Sequence, residues 1–589
     1  MTYSEPKELI RAKQLTNEGE FDEALQLMKN FEEMGSQSLQ DKVLWHLLKC
    51  DILVQQDRFN DIIYLAERTF KESLGLGKTL LSVDALQYIA AALIELNDLE
   101  RAEIMIKKTE ETLKSISNVP LRDFKQREAQ SEIIKARLIT INPNRNESGN
   151  LDLLISHLQR ALEIEEKYGE KYKIASLLLS KGHFELFFKG RADHAQKYLE
   201  RALIIAKESN RKFTIARCLY GMGLYYHVKG ELDHGLKAYE QSVKLWKELK
   251  SKLNIARNYN CIADLYRMKG NTELAIQYSK QSVLLSESDL REQSNNLDFL
   301  IVNLIENGDL ESAKEYLEKL EQISSKLQSK AVSLNILSHK ALLLKMSTRV
   351  RNRGKAEEIF KDILSRDPTP EIKKRALLNL SDLLLIELRT TSDLEVLNEL
   401  NQNLTRLIDI AEKSKSYLLL AEIYFLKAKL ASTTLNLKDA RRFLTQAKQI
   451  SKRWGFNKLA ASISTEREKL GKQLIIWENL KNEDISLGER IKIAGLDVQM
   501  EHLLRQSPIL TAQVKKEKIT IHKEQRICLI CRGEVSGYTY TCSCNSIYCE
   551  NCARALTDLE NACWVCNVPL DVTKPSKPYK EEKAEKKMK

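Results

Sequence analysis

The chain has 589 residues, 93 basic against 82 acidic, giving a formal charge of +11, with 43% apolar residues and only 9 Pro and 21 Gly. That balance excludes disordered and collagen-like classes and describes a helix-rich protein with room for several domains or one long repeat array. The basic excess is thin and dispersed, with no basic stripe interleaved with aromatics, so a nucleic-acid scaffold stands only as an alternative.

The first residues, Met1 to Glu8, show no basic region followed by an apolar run, which argues against a secretory signal. The most apolar stretch, Tyr417 to Leu426, is interrupted by Glu422 and is too short to span a bilayer. We therefore expect a cytoplasmic protein without a membrane span.

Self-comparison gives the organisation. Gly190, Gly230 and Gly270 recur every forty residues, each followed five residues later by Ala195, Gly235 and Ala275. Leu186, Tyr226 and Tyr266 share one position before the turn. Apolar residues step by three and four on both sides of each glycine, so each unit reads as helix, tight turn, helix. Gly223, Gly235 and Ser242 are small enough for two antiparallel helices to approach closely. Weaker copies begin at Gly19, Asp57, Asn97, Gly149 and Gly308, and continue through Gly354 and Leu437 to Ala440, with a diverged unit around Asp393.

These residues resemble the tetratricopeptide repeat family, whose motif places Leu-Gly, Tyr, Gly, Ala, an aromatic and Ala at such intervals. The forty-residue period exceeds the family's usual one, so longer helices are expected. The resemblance implies an all-α, tetratricopeptide-like superhelix of helical hairpins over 6–469, about eleven units. An atypical helical capping segment is expected over 471–513, a basic linker over 514–526, and a disordered lysine-rich tail over 572–589. It also implies that the first helix of each unit lines a peptide-binding groove. Carried onto the best units, the groove positions are Arg217, Tyr220, Leu224 and His227, then Arg257, Asn260, Asp264 and Arg267, then Asn295 and Asp298. Their mix of bidentate donors and amides suits an extended peptide or an acidic terminus.

Gly77-Lys78-Thr79 looks like the end of a phosphate-binding loop, but position 72 is Glu where the motif needs Gly, and the preceding stretch reads as helix. No nucleophile elbow, metalloprotease helix or dinucleotide fingerprint occurs, so no intrinsic catalytic residues are expected. Cys50, Cys218 and Cys261 fall on apolar helix faces and read as core residues.

Eight cysteines lie between Cys528 and Cys566 in the order C-x2-C-x10-C-x1-C-x4-C-x2-C-x10-C-x2-C. Close thiolate pairs can each bite a tetrahedral ion, and two pairs complete a site, which predicts two Zn2+. The order resembles the RING family of cross-braced zinc fingers, so 527–571 is expected to be a small RING-like (treble-clef) domain. The resemblance implies that Cys528, Cys531, Cys549 and Cys552 hold the first zinc and Cys542, Cys544, Cys563 and Cys566 the second. It also implies a partner surface at Ile530, Leu556 and Trp564 for a ubiquitin-conjugating enzyme. The chain departs from the pattern of active members at Asn567, where a basic residue is frequent, and at Trp564, where proline is. The expected function is an adaptor that holds a client in its groove and presents the finger; a RING-type ubiquitin-transfer facilitator with the array as substrate receptor is the alternative.

Overall fold

The computed structural model describes residues 5–33, 38–77, 79–141, 150–188, 192–347, 349–391, 393–413, 416–434, 436–454, 459–461, 463–465, 490, 496, 500, 527–533, 535, 539–544, 546–557 and 562–569. The expected turn glycines Gly149 and Gly190, Lys78, the tail, and the capping and linker segments apart from Arg490, Leu496 and Met500 lie outside the described residues. The chain forms two compact units that divide between His339 and Lys340.

Ten successive pairs of the described helices pack as hairpins, from Lys7–Glu18 with Phe21–Glu33 to Tyr417–Thr433 with Leu437–Arg453. The best-matched unit pairs Lys212–Val228 with Leu232–Glu248, and the next pairs Lys252–Met268 with Thr272–Leu285. The turn chemistry is local and repeats. The first helix ends at a residue with left-handed backbone: Gly19, Gly230, Gly270 and Gly308 at φ 84, 71, 80 and 82°, with Asp57 and Asn97 at 60 and 63° in units lacking the glycine. The next amide bonds back across the turn, as from Asp98 to the Leu93 carbonyl (2.9 Å) and from Asn271 to that of Tyr266 (2.9 Å). The same Asp or Asn then caps the second helix: the Asp98 carboxylate accepts from the Arg101 amide, and the Asn271 amide oxygen from that of Leu274. One short sequence thus stops one helix and starts the next.

Packing within hairpins also keeps the period. Ser242 Oγ donates to the Ala216 carbonyl (2.9 Å), and forty residues on Ser282 Oγ donates to that of Ala256 (2.8 Å). A Cβ at Gly223 would lie 2.4 Å from the Tyr239 ring, so glycine there sets the helix separation. Tyr266 stacks on Tyr278 with centroids 5.7 Å apart.

Within the first unit, helices distant in sequence interlock. Arg211 Nη2 contacts both Asp51 carboxylate oxygens at 2.8 and 2.7 Å. Ser251 and Asn254 donate to Asp57 at 2.8 and 3.1 Å, Arg291 donates to the Leu96 carbonyl at 2.7 Å, and Lys250 pairs with Asp22. Trp45 and Trp246, both buried, belong to one apolar cluster that joins the N-terminal hairpins to the 216–265 region. No described helix is long and apolar enough to cross a membrane.

The C-terminal finger, in the second unit, has a two-stranded antiparallel sheet, β1 (Thr539–Thr541) and β2 (Ile547–Cys549), paired Thr539 to Cys549, followed by the helix Glu550–Thr557.

Candidate metal centre and inner helix face

The finger brings its eight cysteines into two groups of four: Cys528, Cys531, Cys549 and Cys552, and Cys542, Cys544, Cys563 and Cys566. The sulfurs of each group lie within 4.8 Å of one another. The first and third pairs in sequence share one group and the second and fourth the other, which is a cross-brace. All eight are free thiols without disulfides. Cys531–Cys549, Cys542–Cys566 and Cys544–Cys563 sulfurs stand 3.8, 3.4 and 3.5 Å apart. Zinc bonds of about 2.3 Å in a tetrahedron give edges of roughly 3.8 Å, so each donor set fits one such ion. Hydrogen bonds that would offset thiolate charge are in place: the Cys549 amide donates to Cys528 Sγ (3.3 Å), and the Val565 amide and Tyr548 hydroxyl donate to Cys563 Sγ (3.4 and 3.1 Å).

Two of the three C-x-x-C pairs, those beginning at Cys528 and Cys563, are built alike. The Cys528 amide donates to the Gly533 carbonyl and the Arg532 amide to that of Cys528; likewise Cys563 donates to Val568 and Asn567 to Cys563, all at 2.8 to 3.0 Å. Arg532 and Asn567 hold the same left-handed place, at φ 55 and 61°. Asn567 therefore has a backbone reason to be Asn, one of the few residues that adopt that conformation readily.

Of the residues expected to face a partner, Ile530 and Leu556 are fully buried in the finger's own core, and Trp564 is partly buried beneath the Arg442 guanidinium, 5.8 Å above its ring. Arg532 pairs with Glu412 at 3.0 Å, and the Arg453 side chain lies against Gly533. The finger is thus held on the last hairpins of its own unit, which the sequence did not signal.

Most of the positions expected to line a groove are engaged with neighbouring side chains. Asp264 pairs with Arg267 (2.9 Å) and His227 (3.3 Å), and Arg267 reaches Glu306 (3.0 Å). Burial would raise the Asp264 carboxyl, but Arg267 and His227 outweigh it and hold the group below the usual range. Arg257 pairs with Glu292 (2.8 Å), and the Tyr220 hydroxyl meets Cys261 Sγ (3.6 Å). Leu224 is buried, and the Asp298 carboxylate accepts from Nε2 of buried His339 at 2.8 Å. Asn295 is exposed. Asn260 Oδ1 is buried without a hydrogen-bond donor. Cys50, Cys218 and Cys261 are buried, and burial pushes their thiols up to about 12, 12 and 11. They are inert packing residues.

Residues 214–287 match the tetratricopeptide repeat family. These units are tetratricopeptide repeats. The helical stack is accordingly tetratricopeptide-like. Among solved structures, the chain is similar to a Rap protein complexed with competence and sporulation factor (14% identity, covering 66% of this chain and 99% of that one, TM-score 0.42). It is also similar to the apo quorum sensor NprR from B. thuringiensis (16%, 61% and 98%, TM-score 0.43) and to aspartyl phosphate phosphatase F from Bacillus subtilis (14%, 62% and 92%, TM-score 0.38). None of these likenesses carries a function to this chain. No curated protein matches it at a significant level.

Proposed function

We propose that the protein is a cytoplasmic scaffold that holds a peptide segment of a partner protein on the inner face of its tetratricopeptide stack and carries a finger cross-braced by two Zn2+. The observation that carries the reading is Asn260: a buried amide oxygen without a donor, on the face lined by first helices, suits a peptide backbone N–H. The zinc ions would supply a structural cross-link, each held by four thiolates, with chemistry at no bond of a substrate. The chain's own residues do the recognition.

Binding of a fluorescent pool of random octapeptides to the zinc-loaded full chain tests this. Saturable binding weakened by Asn260→Leu is expected, and no binding at 100 µM chain, or binding insensitive to that change, would overturn it. Two zinc per chain by elemental analysis is expected alongside.

The cross-braced order of the cysteines also favours a second reading, facilitation of ubiquitin transfer. Burial of Ile530 and Leu556 and the docking of Arg442 on Trp564 weigh against it. Incubation with ubiquitin, its activating enzyme and a panel of conjugating enzymes decides: zinc-dependent chain formation would establish it, and its absence leaves the scaffold.

A further inference from the structure

The last of the described hairpin helices, Leu437–Arg453, meets the finger at two arginines. Arg442 lies over the Trp564 ring at 5.8 Å, and Arg453 lies against Gly533, where a Cβ would come 2.8 Å from its Nε. The two stand about three helical turns apart, so they share one face of the helix at a separation of about 16 Å along its axis. Each meets a different cysteine group. Gly533 closes the knuckle of the first group, its carbonyl accepting from the Cys528 amide at 2.9 Å, and Trp564 lies inside the Cys563–Cys566 knuckle of the second. Four thiolates on one Zn2+ leave a formal charge of about −2 at each group, so one helix sets a cation beside each of two anionic centres.

The rest of the contact is polar and finely balanced. The finger's described apolar core draws only on its own residues, from Cys528 to Trp564, and shares no apolar cluster with the described helices. Arg532 of the finger pairs with Glu412 at 3.0 Å, but the two side chains are 32% and 36% exposed, so salt screens the pair. Arg532 also reaches the buried Tyr424 hydroxyl. Docking carries a cost as well: Trp564 Nε1 is buried without an acceptor among the described residues, a donor that water would satisfy on release. Partly exposed charge contacts set against an orphan donor make an association that small changes can open.

We propose that Arg442 and Arg453 form a two-point electrostatic clasp that holds the zinc-loaded finger on the last hairpin and keeps its Trp564 face covered. The clasp opens when metal is lost, because the knuckles that carry Gly533 and Trp564 to the arginines hold their shape only while their ligands are gathered. This rests on the two-zinc reading above and specifies what metal loading controls: exposure of Trp564 and of the helix face beneath it.

Energy transfer reads the clasp directly, with donor and acceptor dyes carried on unnatural amino acids at the exposed positions Thr434 and Arg554 of the full chain. Zinc per chain and far-ultraviolet circular dichroism are recorded on the same samples. In the zinc-loaded chain, transfer is expected to be high, to fall on chelation and to fall with added salt. Arg442→Gln combined with Arg453→Gln is expected to keep the zinc and the helical signal yet weaken docking, by roughly 2- to 5-fold in the docking equilibrium for each arginine. The corresponding pair of Lys variants, which keep the charge, should retain most of it. Cys566→His keeps a four-coordinate N/S site but removes one negative charge, and is expected to weaken docking with zinc retained. Transfer unchanged in the Gln pair, or equal in Cys566→His and wild type with zinc retained, overturns the clasp while leaving the metal centres standing. Fewer than two zinc per wild-type chain overturns the metal reading and the clasp together.

Discussion

The interlock between Asp51 and Arg211 offers a demanding test of how the first unit holds together. The two residues are 160 positions apart, and Arg211 is 7% exposed with its guanidinium 4.2 Å over the Tyr172 ring. Replacing Asp51 by Asn keeps the shape and removes the charge that answers Arg211. Breaking one side of a fully buried pair costs about 3–5 kcal/mol. The Asp51 side chain is 26% exposed, and the Tyr172 face still attracts the cation, so the expected loss is lower, about 2–3 kcal/mol. Arg211→Met leaves a carboxylate that can recruit water, and should cost about 1–2 kcal/mol. The double variant should resemble Arg211→Met alone, with a coupling of about 1.5 kcal/mol or more. Urea unfolding followed by tryptophan fluorescence suits the measurement, since Trp45 and Trp246 are buried in the cluster that joins the same regions. A coupling below about 0.5 kcal/mol would show that the pair is solvated and that apolar contact alone holds these helices together.

Gly223→Ala places a methyl group 2.4 Å from the fully buried Tyr239 ring and should destabilise by about 1–3 kcal/mol in the same urea assay, whereas Gly354→Ala, with open space around it, should not destabilise. Glu132 predicts an acid dependence: burial opposes its ionisation, but hydrogen bonds with His157 (2.5 Å) and Lys135 (3.1 Å) outweigh that and bring it from 4.5 down to about 2. Its folded pKa is depressed, so its contribution is full above pH 4.5 and is lost as pH falls through about 2; the gap between wild type and Glu132→Gln should narrow across that window in urea midpoints. Cys549→Ser should release metal from the first cysteine group, read as zinc per chain, while far-ultraviolet circular dichroism of the helical hairpins stays within a few per cent; collapse of the helical signal would contradict independent folding of the stack.

Much of this architecture is legible from local chemistry. The turn glycines, and Asp57 and Asn97 in their place, announce a left-handed backbone followed by a capping Asp or Asn, because those preferences involve only neighbouring residues. Ser242 and Gly223 mark close helix contact for the same reason. The cysteine order likewise carries its own geometry, and the two groups of four assemble with the membership that the family resemblance implied. The fate of the inner charges was less accessible. Arg257 meets Glu292 from the next repeat, within reach of a careful comparison of periods.

What the sequence determined by itself is the hairpin, its forty-residue period and the eight closely spaced cysteines, since each depends on interactions spanning a few residues or a fixed spacing. Tertiary structure alone decided that Asp51 answers Arg211, that Ile530 and Leu556 go into the finger's core, and that Arg442 and Glu412 receive the finger. These outcomes depend on how small rotations between successive hairpins accumulate. No single repeat encodes that sum, and it is the sum that selects which distant charges are paired.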